Sequence, residues 1–138
     1  MLSLSPAIIV LIILDMMLGA FWYSPKLFGN VWSKEYNFHL GGENKALPLY
    51  YVAAMIVNTI TVTCLALLVQ IFSVNNYTAG LQFAFLVWLG LIATTHFSGV
   101  IWAKKPLKIY LIDISYLFLL VVGDTILLVF WSKLLAFF

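Results

Sequence analysis

The sequence has no arginine, a single cysteine and few charges of either sign: seven lysines and five acids in 138 residues, or 9% charged. Soluble domains carry about 25% charged residues, so a water-soluble globular domain is excluded. Without arginine there is no bidentate phosphate recognition, and a net charge of +2 is too small to hold a polyanion; nucleic acid is not an expected partner. Cys64 stands alone inside an apolar run, where it forms no intrachain disulfide and reads as a small packed hydrophobe. Segments of about ten residues with alternating polarity are missing too, which excludes a membrane β-barrel. The chain has no Cys-His or Ser-His-Asp arrangement, no glycine-rich phosphate loop and no set of three or four metal ligands. No cofactor is expected, and an enzyme is the weakest functional class.

Apolar side chains are what the chain has in excess: 64% of residues, with a mean hydropathy of +1.09. They fall into four runs, from about Pro6 to Tyr23, Pro48 to Phe72, Thr78 to Ala103 and Ile109 to Leu135. Each is near the roughly 20 residues a helix needs to cross a bilayer, and a backbone in lipid must satisfy its own hydrogen bonds, so all four read as helices. The expected fold is an all-α integral membrane protein. Residues 1–138 form a single four-helix transmembrane domain, with a short interfacial segment between the first and second helices. The first run lacks a basic leader and a small-residue cleavage site and carries Asp15 midway, so it is expected to be retained rather than removed as a signal.

Orientation follows from the lysines. Lys26, Lys34 and Lys45 lie in the first connection and Lys104, Lys105 and Lys108 in the third, against Lys133 alone on the other side. By the positive-inside rule, both termini lie outside the cytoplasm. Trp22, Tyr23, Trp32 and Trp102 fall near the lysine-bearing ends and read as interface anchors. In the first connection Phe28, Trp32 and Tyr36 recur every four residues, a spacing that suits either a short interfacial helix or a loop dipping its rings into headgroups. His39 follows in that connection and is expected to be solvated. An Asn-Tyr-Thr sequon begins at Asn76, but so short a loop gives it little weight.

The run Leu18-Gly19-Ala20-Phe21-Trp22-Tyr23-Ser24-Pro25, with Phe28-Gly29 and Trp32, resembles the hallmark of a bacterial family of small four-span membrane proteins known only as a domain of unknown function. A weaker likeness lies at Leu111-Ile112-Asp113-Ile114-Ser115-Tyr116. The resemblance implies a four-span fold and an inner-membrane location, and no activity. Members often have a longer basic third connection than the Ala-Lys-Lys-Pro-Leu-Lys found in this chain.

Charged side chains inside hydrocarbon are costly, by roughly 2.5 to 3.5 kcal/mol on insertion scales, so Asp15, His96, Asp113 and Asp124 mark a protein interior or a wet cavity. At about 1.5 Å per residue, Asp15 and Asn58 reach mid-membrane from opposite sides and are expected to meet. His96 and Asp113 have similar depth on helices joined by a tight turn, which predicts a hydrogen bond between them. Asp113 and Asp124 are eleven residues apart, within about 20° on one helix face, and Asp124 has no partner evident in the sequence. Thr95, Gly99 and Ala103 form a small-residue stripe where a neighbouring helix is expected to approach.

Two functions fit these residues. Asp15, Asn58, His96, Asp113 and Asp124 make a ladder of polar groups for a proton- or cation-linked transporter or channel. Alternatively they are interhelical glue, each worth about 0.6 kcal/mol, in a structural or accessory membrane subunit. Either way the bilayer is the expected partner, and four short helices with several polar faces point to a homo-oligomer, most simply a dimer.

Overall fold

The computed structural model describes residues 5–37 and 47–135. His39 and Lys45 lie outside the described residues. The elements are α1 (Ser5–Trp22), α2 (Gly29–Glu35), α3 (Leu47–Ile71), α4 (Tyr77–Val87), a single wide π turn (Trp88–Ala93), α5 (Thr94–Trp102) and α6 (Leu107–Leu135). Among the described residues there is no strand. Both ends of each expected run fall within two residues of these boundaries, because the apolar runs stop where Pro, Asn and Lys begin. Three helices are long and apolar enough to cross a membrane: α3, the continuous helical run Tyr77–Trp102, and α6; α1 is a shorter apolar helix.

Local chemistry fixes the ends. The Asn76 side chain accepts the amide of Ala79 at 2.8 Å and caps α4, so the sequon asparagine is a helix cap. After α5, Lys104 takes a left-handed φ of 53°, and the amides of Ala103 and Lys105 both return to the Gly99 carbonyl. Along α3, Thr59, Thr61 and Thr63 donate to carbonyls four residues back, which keeps their hydroxyls satisfied on a helix whose Met55, Ile56, Val57 and Ile60 are exposed. The π turn widens α4 at the point where Trp88 donates to the Ile114 carbonyl of α6, at 2.9 Å, and Tyr110 of α6 donates to the Ala93 carbonyl, at 3.1 Å.

Every other element packs against α6, while α1 and α3 also pair with each other. The close-packed core lies toward the end of the bundle where α1 begins: Ala7 and Leu11 of α1, Val62, Leu65, Ala66 and Val69 of α3, Ala84 of α4, and Val121, Leu128 and Val129 of α6. There α4 approaches α6 through Gly80, where an added Cβ would lie 3.4 Å from Val129 and 3.6 Å from Ile126 and Thr125. Gly80 and Ala84, four apart and both buried, are the small-residue stripe of this fold.

The expected stripe on α5 is corrected. Thr95 and Ala103 are exposed, and a Cβ at Gly99 would meet only the Lys105 side chain, at 3.9 Å. Its residues face away from α6, because the wide turn at Trp88–Ala93 rotates the rest of the helix relative to α4. The same rotation corrects the pairing predicted for His96. Its ring is exposed and Nδ1 lies 3.0 Å from the Ile92 carbonyl of its own helix, not against Asp113.

Candidate functional site: a buried carboxyl pair beside a cleft

The seam between α1 and α6 carries two polar clusters. At the lysine-rich end, Asp113 is fully engaged: the Tyr23 hydroxyl donates to Oδ1 at 2.9 Å, and the Lys105 ammonium donates to Oδ2 at 2.6 Å. Burial alone would lower the Lys105 pKa; the hydrogen-bonded, charged Asp113 carboxylate outweighs it, and the ammonium is held above its ordinary value. Trp22 donates its indole N–H to the Ile112 carbonyl at 3.2 Å and its ring packs on Phe28 and Tyr116. Tyr23 packs edge-on against Trp32 and Tyr116.

Of the four expected anchors, Trp22 and Tyr23 thus turn inward and join helices, Trp32 stacks on Tyr23 and Tyr36, and Trp102, 84% exposed, stands out from the bundle. The turn that follows α1 is held by Gly29, where a side chain would run into the carbonyl of Tyr23 and the backbone of Ser24.

The second cluster lies deeper. Asp15 and Asp124 are 5% and 2% exposed. Their carboxyl groups are within hydrogen-bonding reach of each other, and Asn58 of α3 reaches the Asp15 carboxyl while donating to the Ile12 carbonyl at 3.3 Å. Oδ2 of each acid is buried with no N–H or O–H donor among the described residues. Ionised carboxylates only accept, so two of them in contact hydrogen-bond only when a proton sits between them. Thr125, beside Asp124 and fully buried, supplies no donor, since its hydroxyl goes to the Val121 carbonyl at 2.8 Å.

Sequence reasoning placed Asp15 beside Asn58 but left Asp124 without a partner. The missing signal was that α1 lies against α6, so that the two carboxylates of α6 meet partners at different levels of the same seam. Asp124 meets Asp15, Asp113 meets Tyr23 and Lys105, and His96 joins neither.

From Asp15 a cleft of about 530 Å³ extends toward the lysine-rich end, between α1, α3 and α6. Asn58 and Thr61 border its deep part with Asp15; Tyr116 and Gly19 form one wall, and Tyr23, Trp32, Tyr50 and Tyr51 surround the part nearest the lysines. An added Cβ at Gly19 would stand 3.0 Å from the Tyr116 hydroxyl oxygen, so glycine lets the ring lie across α1. Asp124 does not line the cleft; Asp15 stands between.

The two segments that carried the family resemblance are therefore in contact: Gly19 with Tyr116, Trp22 with Ile112 and Tyr116, and Tyr23 with Asp113. Compared with family models, residues 6–129 match the family described as protein of unknown function (DUF1761). The chain belongs to that family. Membership covers the α1–α6 seam, the carboxyl pair and the cleft together. No curated protein and no solved structure matches the chain.

Proposed function

We propose that this family member is a small proton- or cation-linked transporter of the bacterial inner membrane. It crosses four times, with both termini outside the cytoplasm, and works as a homo-oligomer, most simply a dimer. Helix α1, the shortest of the four proposed spans, is roughly 27 Å long by its 18 residues, close to the hydrocarbon thickness. The observation that carries the reading is the carboxyl pair: two buried acids, each with an oxygen that no donor among the described residues satisfies, one of them lining a cleft. Structural glue is satisfied by its neighbours; this pair is completed only by something mobile, a proton or a cation.

Charge decides how such a pair would work. With two protons it is neutral. With one proton on Asp124 and a monovalent cation against Asp15 it is neutral again, so the two loaded forms are equally tolerated in a low-dielectric interior. The doubly ionised form is strongly disfavoured. Exchange of one proton for one monovalent cation at Asp15 follows, with Asp124 holding the proton that stays.

A second reading, an accessory subunit, draws on the Asp113 cluster, where every partner is satisfied and the groups join α1, α6 and the α5–α6 turn. Proteoliposomes with an internal pH-sensitive dye and an imposed potential separate the two. The transport reading expects flux from the intact protein and background flux from Asp15→Asn and Asp124→Asn; background flux from all three leaves the accessory role.

A further inference from the structure

We propose that the cleft beside Asp15 is a binding site for a monovalent organic cation with apolar substituents, a quaternary ammonium or phosphonium ion, with Asp15 as its counter-ion. This rests on the reading of Asp15 as the coupling carboxyl and names the cation it would exchange for a proton.

The composition of the walls selects the ligand. Asp15 is the one acid among the described lining residues and none of these is basic, so among them an anion finds no cation to hold it. Lys105, in the α5–α6 turn, is occupied by Asp113 at 2.6 Å. Tyr23, Trp32, Tyr50, Tyr51 and Tyr116 surround the same space. Aromatic faces attract a cation, most strongly where water is excluded, and cages of such rings are a general solution for ions that lack N–H donors.

A small hydrated cation would gain little from these walls, which are mainly apolar surface. A lipophilic cation buries its substituents on them and brings its charge to the carboxyl. The volume, about 530 Å³, falls in the range of sites for such organic molecules. Oδ2 of Asp15 also has no hydrogen-bond partner among the described residues, and the side chain is 95% buried at the inner end of the cleft.

The test is equilibrium binding of labelled tetraphenylphosphonium to the full chain in detergent, with neutral triphenylphosphine oxide as the counter-probe. Expected are saturable phosphonium binding, weakened about tenfold or more in Asp15→Asn, recovered in Asp15→Glu, and weakened about fivefold in Tyr51→Leu. Thermal melting of each variant identifies any that fails to fold, and the Glu and Leu variants keep the test open if Asp15→Asn does.

Equal binding of the neutral oxide, or phosphonium binding unchanged in Asp15→Asn, would overturn the proposal and leave an apolar cleft filled by lipid chains. No saturable phosphonium binding would overturn it too. If Asp15-dependent proton flux persists without phosphonium binding, this inference fails and the transport reading stands. Asp15-dependent phosphonium binding without proton movement supports the site and removes the coupling.

Discussion

Asp113 and Asp124 sit three turns apart on one helix and face the same neighbour, α1, yet the surroundings of the two acids differ in kind. Around Asp113 the helices are joined by polar bonds, with a tyrosine hydroxyl and a lysine ammonium each taking one carboxyl oxygen. Around Asp124 they are joined by close packing, with Gly80 of α4 against Thr125 and Val129 and Ala84 buried one turn on, and the acid itself is left to Asp15. The contrast teaches that a carboxylate in a membrane helix is no single signal. A satisfied one holds the fold; an unsatisfied one in contact with a second acid calls for a mobile partner.

A large stability effect is expected at Asp113. Asp113→Ala leaves the Lys105 ammonium and the Tyr23 hydroxyl without their acceptor, and both carboxyl and ammonium side chains are less than one-fifth exposed. Unfolding of the variant in detergent should show a loss of about 1–3 kcal/mol, with flux per folded molecule retained. A similar loss in Asp124→Asn would erase the distinction.

Next comes the packing side of the comparison. Gly80→Leu forces a side chain into Val129, Ile126 and Thr125 and should cost about 1–3 kcal/mol, whereas Gly99→Leu, with open space beyond Lys105, should stay within about 0.5 kcal/mol. Thermal melts of the two variants side by side check this.

A smaller effect is expected in alkali. The Lys105 ammonium is held above its ordinary value of 10.5, so its contribution is fully present below that pH and is lost as pH rises through the raised folded value. Alkaline titration should therefore loosen the α5–α6 turn in the intact protein and not in Asp113→Ala, as read by amide hydrogen exchange. The smallest effect is at His96: His96→Ala should change neither melting temperature nor flux, since the ring is exposed and its hydrogen bond is to the Ile92 carbonyl of its own helix.

Most of the fold was legible because bilayer dimensions and hydropathy fix helix length, Pro25 and Pro106 lie between the runs, and Pro48 opens the second. The site was legible only in part. Depth along each helix follows from counting residues, which placed Asp15 level with Asn58. Rotation and neighbours do not follow, because a helix apolar on every side has no periodicity to say which face points inward. That is why His96 was expected to meet Asp113 and why Asp124 lacked a partner. The wide turn at Trp88–Ala93, invisible in composition, turns His96 outward. The Gly80-Ala84 pair, by contrast, has the same spacing as the Thr95-Gly99-Ala103 stripe and could have been chosen instead.

The most direct test is proton flux into proteoliposomes for Asp113→Asn and Asp124→Asn, each normalised to folded protein. The account predicts flux near the intact level for Asp113→Asn and background flux for Asp124→Asn. Equal flux from the two variants would contradict it.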